Sequence, residues 1–288
     1  MNDELFPFTL TRPMQDIRVG ILTIKEKQAA YLKANPQIIS YPWDIFLVND
    51  REIREDFKTI TTGRQSASIP ATVQTVNPGN IFIEEGTTLS HCIINAENGP
   101  VYIGKNAEIM EGSLIRGPFA LCERGVVKMG TKIYGATTVG PYSIVGGEIK
   151  NSVIFGYSNK AHDGYLGDSV IGEWCNLGAG TSNSNLKNTA ADIRIWSNGQ
   201  NDFVNAGINK CGLIMGDYSR AAINTSFNTG TVVGVCCNIF GTGLTPKFIP
   251  SFSWGADAVQ KYDFDRAMKD IANWKKLKKH DLTEQEKT

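Results

Sequence analysis

The sequence predicts a mainly β chain centred on a parallel solenoid of three-sided coils, and three observations predict it. Branched aliphatics recur at every sixth residue, small residues follow four positions behind them, and glycine concentrates in the same stretch. Ile103, Ile109, Ile115, Leu121, Val127, Ile133, Val139 and Val145 form an unbroken run at that spacing. Their companions Ala107, Ser113, Phe119, Gly125, Thr131, Thr137 and Ser143 are small in all but one case. A strand repeats every second residue and a helix every ~3.6, so neither alone yields a strict six. A coil with three flat sides does, because each side takes about six residues for a short strand and a corner. One aliphatic per side points into a narrow bore, and the small residue fits where the chain bends. Stacked coils then pair as parallel strands.

The register breaks at Gly146-Gly147 and again after Thr181. It resumes at Met215, Ala221, Phe227, Val233 and Ile239, with Ser219, Thr225, Thr231 and Cys237 as the small companions. Between these runs, Ser182 to Gly212 is rich in Asn and Asp and keeps no six-residue register. It reads as a loop projecting from the solenoid, and long loops of this kind tend to carry function.

Most of the 29 glycines lie between Gly86 and Gly243, and the flanks are richer in helix formers. The chain therefore divides into residues 1–69, a solenoid over 70–245 and an extension over 246–288. In the first part a helix-like stretch runs from Thr23 to Leu32 and an extended one from Ile38 to Leu47. The last part carries Phe264, Met268, Ile271, Trp274 and Leu277 at helical spacing, a packing face rather than a ligand site. Asp263 suits the helix N-cap and the lysines from Lys275 to Lys279 its C-terminal end. A solenoid needs its open end covered, and this helix is the expected cap. Pro246 and Pro250 mark the exit from the last coil.

Charge and composition narrow the function. With 29 basic and 29 acidic residues the formal net charge is zero, so neither nucleic acid nor an anionic membrane is expected as a bulk partner. No run of eighteen apolar residues exists, so no membrane span is expected. The opening MNDELFPFTLTRP lacks a basic segment followed by an apolar one, and a cytoplasmic location is expected. Cys92, Cys122, Cys175, Cys211, Cys236 and Cys237 form no C-x-x-C pair and read as small buried hydrophobes.

Reactive side chains are densest where the repeat falters. Glu148 and Lys150 come first, then Lys160-Ala-His162-Asp-Gly-Tyr165-Leu-Gly-Asp168, then Asn176-Leu-Gly-Ala179-Gly-Thr181, then Asn183-Ser-Asn185. The chain has 3 histidines, His91, His162 and His280. Only His162 sits in a glycine-rich break flanked by basic and hydroxyl groups, the setting of a general base.

The stretch KAHDGYLGDSVIGEWCNLGAGTSNSNLKN resembles the hexapeptide-repeat acyltransferases. The similarity is to the acetyltransferase half of bifunctional N-acetylglucosamine-1-phosphate uridylyltransferase/glucosamine-1-phosphate acetyltransferases. It runs from about Ile81 to Gly243 and is densest between Glu148 and Asn185, where H-x-x-Y-L-G-D and N-[IL]-G-A-G-T stand at fixed separation. The resemblance implies a left-handed β-helix, a homotrimer with its sites between subunits, and acetyl-CoA-dependent N-acetylation of an amino-sugar phosphate without a metal. It assigns His162 as general base and Glu148 as the carboxylate that orients it. Lys150 and Lys132 match phosphate-binding positions, while Tyr165, Asn176 and Asn185 match substrate contacts. Ala179 and Gly180 fall where the family's backbone meets acetyl-CoA. Ala191 stands where the family has a lysine, with Arg194 or Lys187 as replacements, and Leu186 replaces a family tyrosine.

The opening LFPFTLTRPMQDIRVGILTIKEKQ resembles the start of sugar nucleotidyltransferase domains. No G-x-G-T-R-type loop follows, and only about 70 residues precede the first coils, well short of a full α/β nucleotide domain. A remnant is expected there, with nucleotidyltransferase kinship by homology only. Two rival functions stand beside acyl transfer. One is a non-catalytic structural or regulatory β-helix. The other is a zinc-dependent hydratase, which needs three converging histidines.

Overall fold

A computed structural model describes residues 5–31, 39–257 and 260–287. Its centre is a parallel β-solenoid with three sides. The first side carries the strands Ile81–Ile83, Val101–Ile103, Phe119–Leu121 and Thr137–Val139, and ends on Leu213–Met215, Thr231–Val233 and Phe248–Ile249. The second side carries two-residue strands from Thr88–Leu89 through Ile144–Val145, Asn159–Lys160 and Asn176–Leu177 to Ser253–Trp254. The third begins with Gln74–Val76, Ile93–Asn95, Leu114–Arg116 and Lys132–Tyr134. Phe119 pairs in parallel with both Val101 and Thr137, each eighteen residues away, or three sixes per coil.

The six-residue register lines the bore. Ile103, Ile109, Ile115, Leu121, Val127, Ile133, Val139 and Val145 are all 2% exposed or less, and Met215, Phe227, Val233 and Ile239 join the same cluster. The small companions have a polar reason as well as a steric one. Ser113 and Thr131 donate to the carbonyl of Lys128 at 3.0 and 2.5 Å, and Thr225 donates to that of Ala222 at 2.8 Å. These hydroxyls supply donors to the carbonyls at the corners.

Where the register breaks, the coils shorten. Four residues separate Ile109 from Leu114 and Val127 from Lys132, but only two separate Val145 from Glu148. The strands Glu148–Ile154 and Tyr165–Ile171 then run unbroken from the third side into the first. They turn the corner at Asn151 and Asp168, which take positive φ of 44° and 49°. Short polar side chains tolerate that backbone better than most.

The flanks lie along the solenoid. Leu5, Phe8, Ile17 and Val19 are buried against the outward residues Val153, Phe155, Val170, Ile214 and Val232 of the first side. Helix α1 (Ile24–Tyr31) is present, although Leu32 and Ile38, the ends of two expected segments, lie outside the described residues. The stretch expected to be extended instead enters helix α2 (Asp44–Thr61). Its buried stripe is Ile45, Phe46, Asn49, Ile53 and Asp56. The two polar members interrupt the apolar signal, but both are bonded. Asn49 accepts from the Gly20 amide at 2.8 Å and donates to the Ala136 carbonyl at 2.7 Å. Asp56 accepts from the Ile21 amide at 2.8 Å and pairs with Lys27.

Parallel pairing continues past Pro246, since Phe248–Ile249 pairs with Val232–Val233 and Trp254 pairs with Asn238. The prolines therefore shape the last coil. Helix α3 (Phe264–Leu277) starts at Asp263, whose carboxylate accepts from the Arg266 amide at 2.9 Å. It does not cap the open end. Ile271 packs with Val235 and Cys236, Arg220 lies over the Trp274 ring, and Lys278 reaches the Tyr142 carbonyl at 2.7 Å. The helix thus runs back along the corner between the first and second sides. Leu277, assigned to its packing stripe from spacing alone, is 75% exposed.

The segment from Ser182 to Gly212 folds back on its own chain instead of projecting. Ser182–Asn183 still pairs with Ser226–Phe227 of the third side. Beyond it, Arg194–Ser197 and Asp202–Asn205 form an antiparallel hairpin. Ile193 and Ile195 are fully buried with the N-terminal cluster, and Trp196 stacks on Phe248 at 4.1 Å. All six cysteines are buried and free. Burial pushes the Cys92 thiol up to about 11.

Candidate active site

The third side carries four of the expected site residues. Lys132, Glu148 and Tyr165 pair in register on three successive rungs, and Tyr134, Lys150 and Gly167 form the neighbouring column. The five side chains face outward, with rungs about 4.8 Å apart, and Gly167 is covered by the Tyr165 ring. His162 is exposed at the corner that leads into the Tyr165 strand.

That corner rests directly on the one before it. A Cβ on Gly146 would come within 2.4 Å of the Ala161 carbonyl oxygen, and one on Gly147 within 2.9 Å of that of His162. Gly147 also has φ +78°, so both space and conformation require glycine there. On the far side, the Gly180 amide donates to the Asp163 carbonyl at 3.0 Å. The Ala179–Gly180 corner is therefore stacked on the histidine loop, with one turn of chain above it and one below.

Lys160 holds the loop from beneath. It takes an inward position beside Val145, in a column otherwise occupied by Ile109, Val127, Leu177, Ala221 and Ile239. Its ammonium donates to the carbonyls of Gly146 and Asp163, each at 3.3 Å, and to that of His162. Burial lowers its pKa to about 8.

Tyr165 and Asn185 meet through side chains. The Asn185 amide donates to the Tyr165 hydroxyl at 3.0 Å and to Asp168 at 2.5 Å, while Asn151 donates to the other Asp168 oxygen at 2.7 Å. Burial, reinforced by the charges of Asp168 and Glu148, pushes the Tyr165 hydroxyl up to about 12. It remains a neutral phenol at neutral pH. Asn151 was not among the expected site residues, and Asp168 stood in the reactive stretch without an assigned role. The sequence signal that could have found them is a short polar residue at each strand bend.

Other expected residues stand apart. Glu148 is one rung from Tyr165, yet no hydrogen bond or ion pair joins its carboxylate to His162. Asn176 lies on the second side, between Asn159 and Arg220 in register. Arg194 belongs to the hairpin, where its guanidinium donates to the Phe203 carbonyl at 2.5 Å. Lys187 is bonded to the Asp192 carbonyl. The three histidines occupy separate places. His91 contacts Ser90, and His280 packs edge-on to Tyr157 and Trp174. Among the described residues no three metal-type ligands gather at one point. No helix of the described residues is long and apolar enough to cross a membrane.

A family described as sugar nucleotidyl transferase matches residues 2–38. The bifunctional protein GlmU of Methanocaldococcus jannaschii is 29% identical over 230 residues, 79% of this chain and 50% of its own. The chain resembles bifunctional nucleotidylyltransferase/acetyltransferases. The bifunctional sugar-1-phosphate nucleotidylyltransferase/acetyltransferase of Sulfurisphaera tokodaii is likewise 29% identical, over 49% of this chain and 35% of its own. The chain spans about half the length, or less, of the curated relatives it matches. Among solved structures, the polySia-specific acetyltransferase NeuO aligns over 76% of this chain and 97% of its own, with 13% identity and a TM-score of 0.25.

Proposed function

We propose that the protein is an acyltransferase that moves an acetyl group from acetyl-CoA to the amine of an amino-sugar phosphate. The observation that carries this reading is the placement of His162. It is an exposed imidazole on a corner locked by glycines, beside an outward column of Lys132, Glu148 and Tyr165. The amine attacks the thioester carbon as His162 accepts its proton, and the collapsing intermediate expels the CoA thiolate, which is reprotonated by the imidazolium. Lys132 and Lys150 are the cations for the sugar phosphate. The stacked corner at Ala179 and Gly180 is where the CoA arm approaches His162.

The site is proposed to close between copies of a homotrimer. Asn176 lies on the second side, while Lys132, Glu148 and Tyr165 lie on the third, and a site between copies would let one substrate meet both sets. Ile93, Leu114 and Tyr134 are each at least 40% exposed on the third side, in line with the site columns. A left-handed coil is part of the same reading. Sedimentation should give a species of three 31.5 kDa chains, and a stable monomer at micromolar concentration would remove the shared site.

One observation favours a non-catalytic scaffold instead. Glu148 does not reach His162, and Tyr165 and Asn185 are already occupied with each other. Thiol release from acetyl-CoA against a panel of amino-sugar phosphates separates the two. Turnover with at least one acceptor is expected. No thiol release, together with no acetyl-CoA binding, would leave the scaffold reading in place.

A further inference from the structure

We propose that Lys160 is a positioning residue for His162, acting from inside the bore. The inference rests on the reading of His162 as the general base and extends it to a residue that no substrate can touch. Lys160 is 2% exposed and has no carboxylate partner. A buried ammonium is costly unless its hydrogen bonds are made, and an aliphatic residue would fill this position as its column neighbours do.

Two successive glycine corners account for the exception. In four other coils the residue before the third-side strand is a hydroxyl, Ser113, Thr131, Thr181 or Thr225, and it donates to a corner carbonyl. At the histidine loop those places are taken by Gly147 and Gly164. Neither tolerates a side chain, since a Cβ on Gly147 would lie 2.7 Å from the Gly164 oxygen and one on Gly164 would lie 2.1 Å from the Thr181 oxygen. Close stacking of the loop therefore removes both hydroxyl donors. One ammonium with three hydrogens replaces them, binding the carbonyls of Gly146, His162 and Asp163. Two of those carbonyls belong to the histidine itself and its neighbour, so the same contact fixes the backbone from which the imidazole projects.

The test is Lys160→Met, which keeps the length of the chain and removes the donors. Hydrogen exchange is followed at Glu148 and Gly180, whose amides bond to Gly164 and Asp163, with Cys122, bonded to Val139, as the remote control. Exchange at the two loop reporters should rise about tenfold or more, with Cys122 unchanged. Turnover number should fall while KM for acetyl-CoA stays constant. Lys160→Gln, which retains donor hydrogens, should recover part of both losses. Faster loop exchange in a wild-type background that shows no acetyl transfer would support the loop contact and sink the acyltransferase reading. Active wild type with unchanged exchange or unchanged turnover in Lys160→Met would overturn the positioning role. Failure of both variants to fold would also overturn it, because the lysine would then be holding the coil as a whole.

Discussion

Replacing His162 with alanine lowers kcat for acetyl transfer by about 10²- to 10⁴-fold, the usual contribution of a positioned general base. KM for acetyl-CoA stays close to wild type, because the cofactor is assigned to the Ala179–Gly180 corner. Stability is unchanged. His162 is exposed and its imidazole takes no part in the bore, while its loop is held by backbone carbonyls that survive the substitution. Glu148→Gln costs less than His162→Ala, since the imidazole keeps its base function and no hydrogen bond joins it to the Glu148 carboxylate. The measurements are steady-state thiol release and a thermal transition on each variant. Full turnover in a folded His162→Ala protein would take the histidine out of the mechanism.

Leu121→Ala destabilises the protein by about 2–5 kcal/mol, whereas Leu114→Ala costs less than about 0.5 kcal/mol. The two leucines stand seven residues apart, and amphipathic pattern alone barely separates them. Leu121 is fully buried in the bore among Ile103, Val127 and Val139. Leu114 points outward on the third side and is 46% exposed. A bore one side chain wide collapses poorly around a void, so the cavity penalty adds to the lost transfer energy. Urea unfolding of both variants reads the contrast. Equal losses would mean that the inside and outside of the coil are assigned wrongly. Should the chain assemble through its third side, Leu114→Ala would weaken association while leaving the chain's own unfolding intact.

The bore was legible because its constraint is purely periodic. One aliphatic per six residues leaves a mark from Ile103 to Val145 that no other regular structure leaves. Helix α2 was not legible, since Asn49 and Asp56 sit where an apolar stripe should continue. Their worth lies in bonds to Gly20, Ala136 and Ile21, which are distant in sequence. The hairpin that carries Arg194 was hidden for a related reason, as Ile193, Ile195 and Trp196 find their partners in the N-terminal segment and on Phe248. At the site, His162, Glu148, Lys150 and Tyr165 could be placed together because the shortened coils keep them within one rung of each other. Asn176 and Arg194 could not, because Asn176 falls on the second side and Arg194 in a hairpin that leaves the six-residue register.

Solenoids ordinarily change length easily, since each coil touches only the next and one more can be slipped in. Here two outriggers forbid that. The N-terminal segment and α2 grip Ala136, Val153, Phe155, Val170, Ile214 and Val232 at once. Helix α3 grips Tyr142, Asn159, Arg220, Val235 and Phe252 along an adjacent edge. Each is a rigid ruler laid across many rungs, so adding or deleting a coil between residues 136 and 252 would throw every later contact out of step. Insertions are absorbed only sideways, as the excursion between Asn183 and Gly212 is. The same rulers couple distant rungs, so this part of the molecule should melt as one block instead of fraying from its ends.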